Sequence, residues 1–214
     1  VRLLCVDTST VATSVALVAG ESASTPVVLA ARSVAAANRH GELLAPLLRD
    51  VLEEAGSGYD AVAVGVGPGP FTGLRAGIAT AIAAAQVHGV PTYAACSLDL
   101  LAAAGVVVVQ DARRREVYWA GYDEHGVRTE GPSVGPASLV PLRGRRVVGA
   151  GAAAWPDVFG SDVFDPERDA NLPAAQDLWG LVAERALDGA PSDPLTPRYL
   201  RRPDAKTLVE RGLA

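Results

Sequence analysis

The chain has 214 residues, 49% of them hydrophobic and 20% charged, with a formal net charge of -5. That is enough apolar material for one large domain or two small lobes, and an acidic balance that argues against the chain holding nucleic acid tightly by itself. The longest apolar runs, 102–109 and 79–85, fall far short of the roughly 20 residues a spanning helix needs.

Residues 3–7, 14–19 and 27–34 read as short strands separated by turn residues, and 38–55 has the apolar spacing of a helix. The strand-like opening carries no basic stretch and cleavage site, so a cytoplasmic protein is expected. Next come a buried strand at 61–67, a helix at 73–88, a short strand at 92–95 and a helix at 97–104. The second half starts over with strands at 106–110, 116–122 and 126–134, a weak helix at 138–142, a strand at 146–149 and a helix-like stretch at 152–159. An amphipathic helix at 174–188 follows. The two cysteines, Cys5 and Cys96, make neither a disulfide framework nor a metal knuckle and are expected as small buried hydrophobes. Three arginine clusters (113, 114, 115; 143, 145, 146; 198, 201, 202) are expected as solvated faces.

Two successive βββαβα units, each opening with an apolar strand that ends in Asp7 or Asp111, predict a duplicated α/β architecture. The lobes would be 1–104 and 105–214, the second reduced, with a cleft between them; a single doubly wound sheet is the alternative. Between strand and helix lies Gly65-Val66-Gly67-Pro68-Gly69-Pro70-Phe71-Thr72-Gly73. It matches neither the dinucleotide G-x-G-x-x-G nor a P-loop, and the single lysine is Lys206. Such a loop cradles an anion or a close-packed neighbour, or serves as a plain strand-to-helix turn, and Thr72 is placed to cap the helix.

The repeated order resembles the actin-like ATPase superfamily (ASKHA fold) of sugar kinases, Hsp70 and acetate kinase, in which the first hairpin of each lobe grips phosphate. Asp7-Thr8-Ser9-Thr10 stands in that place, either as a phosphate and hydrated-magnesium site or as an ordinary β-turn.

More specific are Val6-Asp7-Thr8-Ser9-Thr10, Arg39-His40 with Leu43-Leu44-Ala45-Pro46, the glycine loop through Gly77, and Asp111-Ala112-Arg113 with Glu116-Val117-Tyr118-Trp119. In order after them come Val148-Gly149-Ala150-Gly151, Trp155-Pro156-Asp157, Leu172-Pro173-Ala174-Ala175 and Tyr199-Leu200-Arg201. Together, over nearly the whole chain, these resemble the bacterial TsaB (YeaZ) family. The resemblance implies a role in making threonylcarbamoyladenosine beside the anticodon of tRNAs that read codons starting with A. In that family TsaB pairs with TsaD, which transfers the threonylcarbamoyl group, and with the ATPase TsaE, while another enzyme makes threonylcarbamoyl-adenylate from threonine, bicarbonate and ATP. The role implied is a partner's, with no catalytic residues, metal or cofactor of its own, ATP or ADP with magnesium only at the assembled complex, and tRNA met indirectly. One departure is Pro70, where the family commonly has Ser.

TsaD carries two histidines four apart on its first long helix; here the matching position is Leu44, so His40 stands alone, and His88 and His125 have no ligand spacing. Gly131-Pro132-Ser133-Val134-Gly135 matches G-x-S-x-G by letter, but every histidine precedes Ser133, which rejects a nucleophile elbow. On a helical wheel His40, Leu43, Leu44, Leu47, Leu48, Val51 and Leu52 form a broad apolar arc, wider than one lobe should need. Helix 73–88 offers small residues at Gly73, Ala76, Gly77, Thr80 and Ala84. The two helices are the expected docking face for TsaD in a four-helix packing, and for a homodimer in isolation. The alternative function is an active actin-like ATPase or phosphotransferase, with Asp7 and Asp111 around magnesium, Thr8, Ser9 and Thr10 on phosphate, and adenosine near Gly149 and Gly151. A metallopeptidase-like hydrolase is a third reading and lacks ligands.

Overall fold

The computed structural model describes residues 1–36, 39–56, 58–160 and 172–201. Strands β1 (Arg2–Asp7), β2 (Ala12–Ala19) and β3 (Val27–Ala35) are joined by short turns and pair antiparallel in succession. Helix α1 (His40–Ala55) carries the chain across to β4 (Ala61–Gly65), and α2 (Phe71–His88) carries it to β5 (Thr92–Ala95). Helical crossovers return the chain in the same direction, so β4 lies parallel to β1 and β5 parallel to β4, completing a sheet ordered β3-β2-β1-β4-β5.

Side chains alternate across this sheet, and both faces are buried. Leu4, Val6, Val15, Leu17, Val62 and Val64 meet Leu44, Leu47 and Val51 of α1 and Ile78 and Ala81 of α2. Leu3, Cys5, Ala16, Val18, Ala63 and Tyr93 face the other way. That second face is covered from far along the sequence, by α4 (Leu178–Leu187), through Leu178, Trp179 and Val182. Ser14 Oγ accepts the Ala175 N–H at 2.9 Å, and Trp179 Nε1 donates to Ala23 O at 3.0 Å. The expected lobe of 105–214 is therefore corrected: residues 172–190 belong to the core of the first sheet. Amphipathicity showed that this helix had a face to bury but not which sheet it would choose.

A second sheet holds β6 (Val106–Asp111), β7 (Glu116–Tyr122), β8 (Arg128–Pro136) and β9 (Arg146–Val148) in the order β8-β7-β6-β9. It repeats the first sheet's antiparallel trio and parallel fourth strand, with no fifth among the described residues. The weak helix expected at 138–142 is one 3₁₀ turn, Ala137–Leu139. Pro136 and Pro141 bracket it, and the residue before a proline is pushed away from helical angles. The stretch expected as a helix at 152–159 is likewise divided, into the 3₁₀ turn Ala150–Ala154 and the short α3 (Pro156–Phe159), and 97–104 is a 3₁₀ turn over Ser97–Leu101. Among the described residues no helix is long and apolar enough to cross a membrane.

Candidate functional site

The turn after β1 is closed on itself. Asp7 is 1% exposed; its Oδ1 accepts the Ser9 N–H at 2.9 Å and the Ser9 hydroxyl at 2.7 Å, and its Oδ2 accepts the Ser97 hydroxyl at 2.7 Å. Burial raises its carboxyl above the ordinary range, outweighing the hydrogen bonds from Ser97 and Ser9 that act the other way. Ser97 Oγ in turn accepts the Gly67 N–H at 3.1 Å, which ties the glycine loop to the carboxylate. Thr8 Oγ1 donates to Gly73 O at 2.7 Å, inside the first turn of α2. Thr10 Oγ1 accepts the Ala12 N–H at 3.2 Å.

Against this turn the glycine segment has no room for a side chain. A Cβ on Gly65 would fall on the Asp7 carboxylate, one on Gly69 on the Ser9 backbone, one on Gly73 on the Thr8 carbonyl and one on Gly77 on the Thr8 hydroxyl, all closer than 3.0 Å. Of the uses that the sequence left open for these glycines, close packing within the chain accounts for all four. Thr72 does not cap α2: the helix begins at Phe71, Pro70 is the N-cap, and no side-chain cap bond forms.

Of the residues expected at a phosphate site, Asp7, Thr8 and Ser9 are buried and Thr10 is half-buried. Thr8 is 0% and Ser9 3% exposed, and their hydroxyls point into the fold. Asp111 differs: it is exposed at the end of β6, accepts the Arg113 N–H at 2.8 Å, and lies 3.7 Å from the Arg113 guanidinium. Gly149 and Gly151 come up beside the same strand end, where a Cβ on either would strike the backbone of Val109 or of Gln110 and Asp111 at less than 3.0 Å. Their small size serves contact with β6, and the two aspartates occupy opposite environments, one sealed and one in water.

The apolar arc of α1 also turns inward. His40, Leu44, Leu47 and Val51 are buried in the chain's own core, as are Gly73, Gly77 and Ala84 of α2, so these seven residues of the expected docking face are corrected to packing positions. Leu43, Leu48, Ala76 and Thr80 remain half-buried. His40 lies under the Asp7 turn: its Nδ1 shares a hydrogen bond with Thr13 Oγ1 at 2.8 Å, and burial holds its pKa below the usual value. Gly73 makes space for its ring, since a Cβ there would come within 3.2 Å of Cδ2 and Nε2. Outside lie Ala45 on α1 and Ala79, Ile82, Ala83 and Val87 on α2, small or apolar residues exposed to solvent. Among the described residues no three His, Cys, Asp or Glu side chains converge as a metal set would.

Two features escaped sequence reasoning. Ser97 opens a 3₁₀ turn right after β5 and holds the Asp7 carboxylate and the glycine loop at once; its only signal was its place just after a buried strand. Phe71, Arg75 and Tyr199 stack together although Arg75 and Tyr199 are far apart in sequence, with Arg75 Nε donating to Tyr199 Oη at 3.0 Å.

The family model described as TsaD, tRNA N6-adenosine threonylcarbamoyltransferase, matches residues 34–137, a span that holds both α1 and α2. An uncharacterized protein of Mycobacterium tuberculosis strain H37Rv is 42% identical over 97% of this chain and 95% of its own length. The Escherichia coli K12 tRNA threonylcarbamoyladenosine biosynthesis protein TsaB is 33% identical over 94% of each chain. The solved structure of YeaZ from Pseudomonas aeruginosa superposes with a TM-score of 0.70 at 30% identity, covering 93% of this chain and 99% of that one. By sequence across nearly its whole length and by fold, the chain belongs to the TsaB (YeaZ) family.

Proposed function

We propose that this protein is the non-catalytic partner of the threonylcarbamoyltransferase TsaD in tRNA threonylcarbamoyladenosine synthesis, docking it through the outward sides of α1 and α2. The carrying observation is the contrast between a closed Asp7 turn, whose Thr8 and Ser9 hydroxyls are engaged inside the fold, and a solvent-facing helix pair with small and apolar residues. Arg32 of β3 pairs with Glu54, so that side of α1 faces β3, while Leu48 and Leu52 of α1 and Ala76 of α2 pack at the edge of the shared core. Ala45 and Ala83 lie exposed beyond them. Low side chains let a second helix pair approach closely, as four-helix packing requires. Because the TsaD family model itself spans this pair, the partner would offer like elements, an arrangement of related surfaces that also permits a homodimer of the isolated chain.

The reading carries with it an actin-like ATPase ancestry for the two sheets, a cytoplasmic setting, and TsaE as a further member of the complex. It displaces an active ATPase or phosphotransferase, which would need Thr8 and Ser9 turned to solvent. Mixing the chain with TsaD of the same source and following the complex by size-exclusion chromatography tests it. Ala83→Glu, on an exposed position, should abolish the complex with an unchanged melting temperature. A stable complex with this variant, or tight Mg-ATP binding and turnover by the chain alone, would refute the assignment.

A further inference from the structure

The edges of the two sheets are finished in different ways. β5 is closed by the chain beyond α4: the Asp193 N–H donates to Thr92 O at 2.8 Å, and Ser192 Oγ and the Asp193 carboxylate accept the Thr92 and Ala94 N–H groups at 3.1 and 2.9 Å. In the second sheet β8 carries Pro132 and Pro136, and β9 is three residues long. Prolines, short strands and covering segments all keep an edge from pairing with another chain. β3 has none of these among the described residues. It is nine residues long, holds no proline or lysine, and stands at the open end of the order β3-β2-β1-β4-β5.

The direction of its backbone groups follows from the ladder with β2. The Ala36 N–H donates to Val11 O at 3.0 Å, so positions 30, 32, 34 and 36 turn their N–H and C=O toward β2, and positions 31, 33 and 35 turn theirs away. Residues 32–35 are exposed in succession, so the strand is open on both faces there, and Val34 is 37% exposed. A register shift opposite Leu17 and Val18 sets off Leu29, which leaves 30–36 as a regular run with Ser33 at its centre. The one charge in the run, Arg32, pairs with Glu54, and its Nη1 donates to Ala31 O at 2.8 Å in an exposed bond.

We propose that β3 pairs with β3 of a second copy of this chain, antiparallel about a two-fold axis at Ser33, joining two five-stranded sheets into one. That register alone matches the whole run 30–36 with itself, and two-fold pairing closes after two copies. Ser33 then faces its own counterpart, Ala31 faces Ala35 and Arg32 faces Val34, with about six backbone hydrogen bonds exchanged at 31, 33 and 35. The Ala35 N–H takes the place of the Arg32 guanidinium on Ala31 O. Ala31, Ser33 and Ala35 are small and Glu54 neutralises Arg32, so neither bulk nor like charge holds two copies apart. Seven paired residues span about 23 Å and cover on the order of 1,000 Å² in all, the lower limit of specific interfaces, so a Kd of about 10 μM is expected. The pairing uses none of the outward residues of α1 and α2 assigned to TsaD, so the two conclusions fail separately.

Sedimentation velocity of the full chain between about 1 and about 200 μM should show a monomer passing into a dimer. Ser33→Pro removes an N–H turned away from β2, where a strand accepts proline, and should weaken the dimer at least about ten-fold. Val34→Lys, a change at an exposed position that leaves the backbone alone, sets a cation opposite Arg32 of the other copy and should weaken it about five-fold. Ala83→Glu on α2 should dimerise as wild type. Mild oxidation reads the register, because opposed hydrogen-bonded residues lie about 5.5 Å apart, within disulfide reach. Ser33→Cys should cross-link to itself, and Ala35→Cys only when mixed with Ala31→Cys; Cys5 and Cys96 are buried and stay out of the reaction. A chain that stays monomeric to about 200 μM overturns the β3 pairing. So does a dimer lost in Ala83→Glu and kept in Ser33→Pro and Val34→Lys, or Ala35→Cys cross-linking to itself. Lost TsaD binding with the β3 dimer retained sinks the partner assignment alone.

Discussion

Replacing Gly77 of α2 by alanine should destabilise the protein, against the ordinary rule for helices. Glycine inside a helix is normally worse than alanine by about 0.5–1 kcal/mol, so the substitution would stabilise an open site. At 77 the added methyl would meet the Thr8 hydroxyl at less than 3.0 Å and displace it from Gly73 O, where it donates at 2.7 Å. Overpacking costs about 1–3 kcal/mol and the lost hydrogen bond about 1 kcal/mol, which leaves a net loss of about 1–3 kcal/mol after the helical gain. In a domain of this size that lowers the melting temperature by roughly 3–10 °C. Gly180 of α4 is the matched control, because a Cβ there meets nothing within 4 Å, and Gly180→Ala should raise the melting temperature by a few degrees. Removing Thr8's branches in Thr8→Ala with Gly77→Ala should recover at least about 1 kcal/mol over the sum of the single changes. Thermal unfolding by circular dichroism reads all of these; a stabilised Gly77→Ala, or strict additivity in the pair, would show that Thr8 does not set this approach.

Leu47 is 7% exposed in the first-sheet core, so Leu47→Glu should cost more than about 3 kcal/mol and lose docking by unfolding, whereas Ala83→Glu loses docking and keeps its denaturation midpoint. Asp7, with its folded pKa raised above the ordinary 3.8, favours the folded state most when protonated; that contribution is full below pH 3.8 and is lost as pH rises through the folded pKa. Asp7→Asn should therefore gain stability relative to wild type as pH rises above that value, by urea titration; a difference that does not change with pH would contradict the burial-dominated carboxyl. The Asp193 carboxylate accepts the Ala94 N–H at 2.9 Å and pairs with Arg185, so Asp193→Ala should cost about 1–2 kcal/mol and speed hydrogen exchange along β5, with β2 unaffected.

Much of the fold was legible because local chemistry announced it. The apolar runs of β1, β4 and β6, the proline and glycine punctuation, and the return of an Asp-ended strand after residue 104 give the elements to within a few residues. What stayed hidden were long-range choices of partner. His40, Leu44, Leu47 and Val51 read as an oily ridge with too much surface for one lobe, yet β2, β4 and α2 together bury them. The residues of α4 follow the second sheet in sequence and join the first in space, because Gly20 leaves a gap that the Trp179 ring fills. At the Asp7 turn the residue types were right for phosphate; only their direction, inward toward Ser97 and Gly73, decides the matter, and direction is not written in spacing.

That late-arriving cover over Leu3, Cys5, Ala63 and Tyr93 has a consequence for biosynthesis. While the protein is being translated, five strands emerge well before Trp179, and one side of their sheet stays greasy and wet until the closing helix leaves the ribosome. The first 104 residues cut out as a fragment will therefore clump or need a chaperone instead of standing as an autonomous unit, and the arrival of α4 is the event that makes the earlier sheet solid.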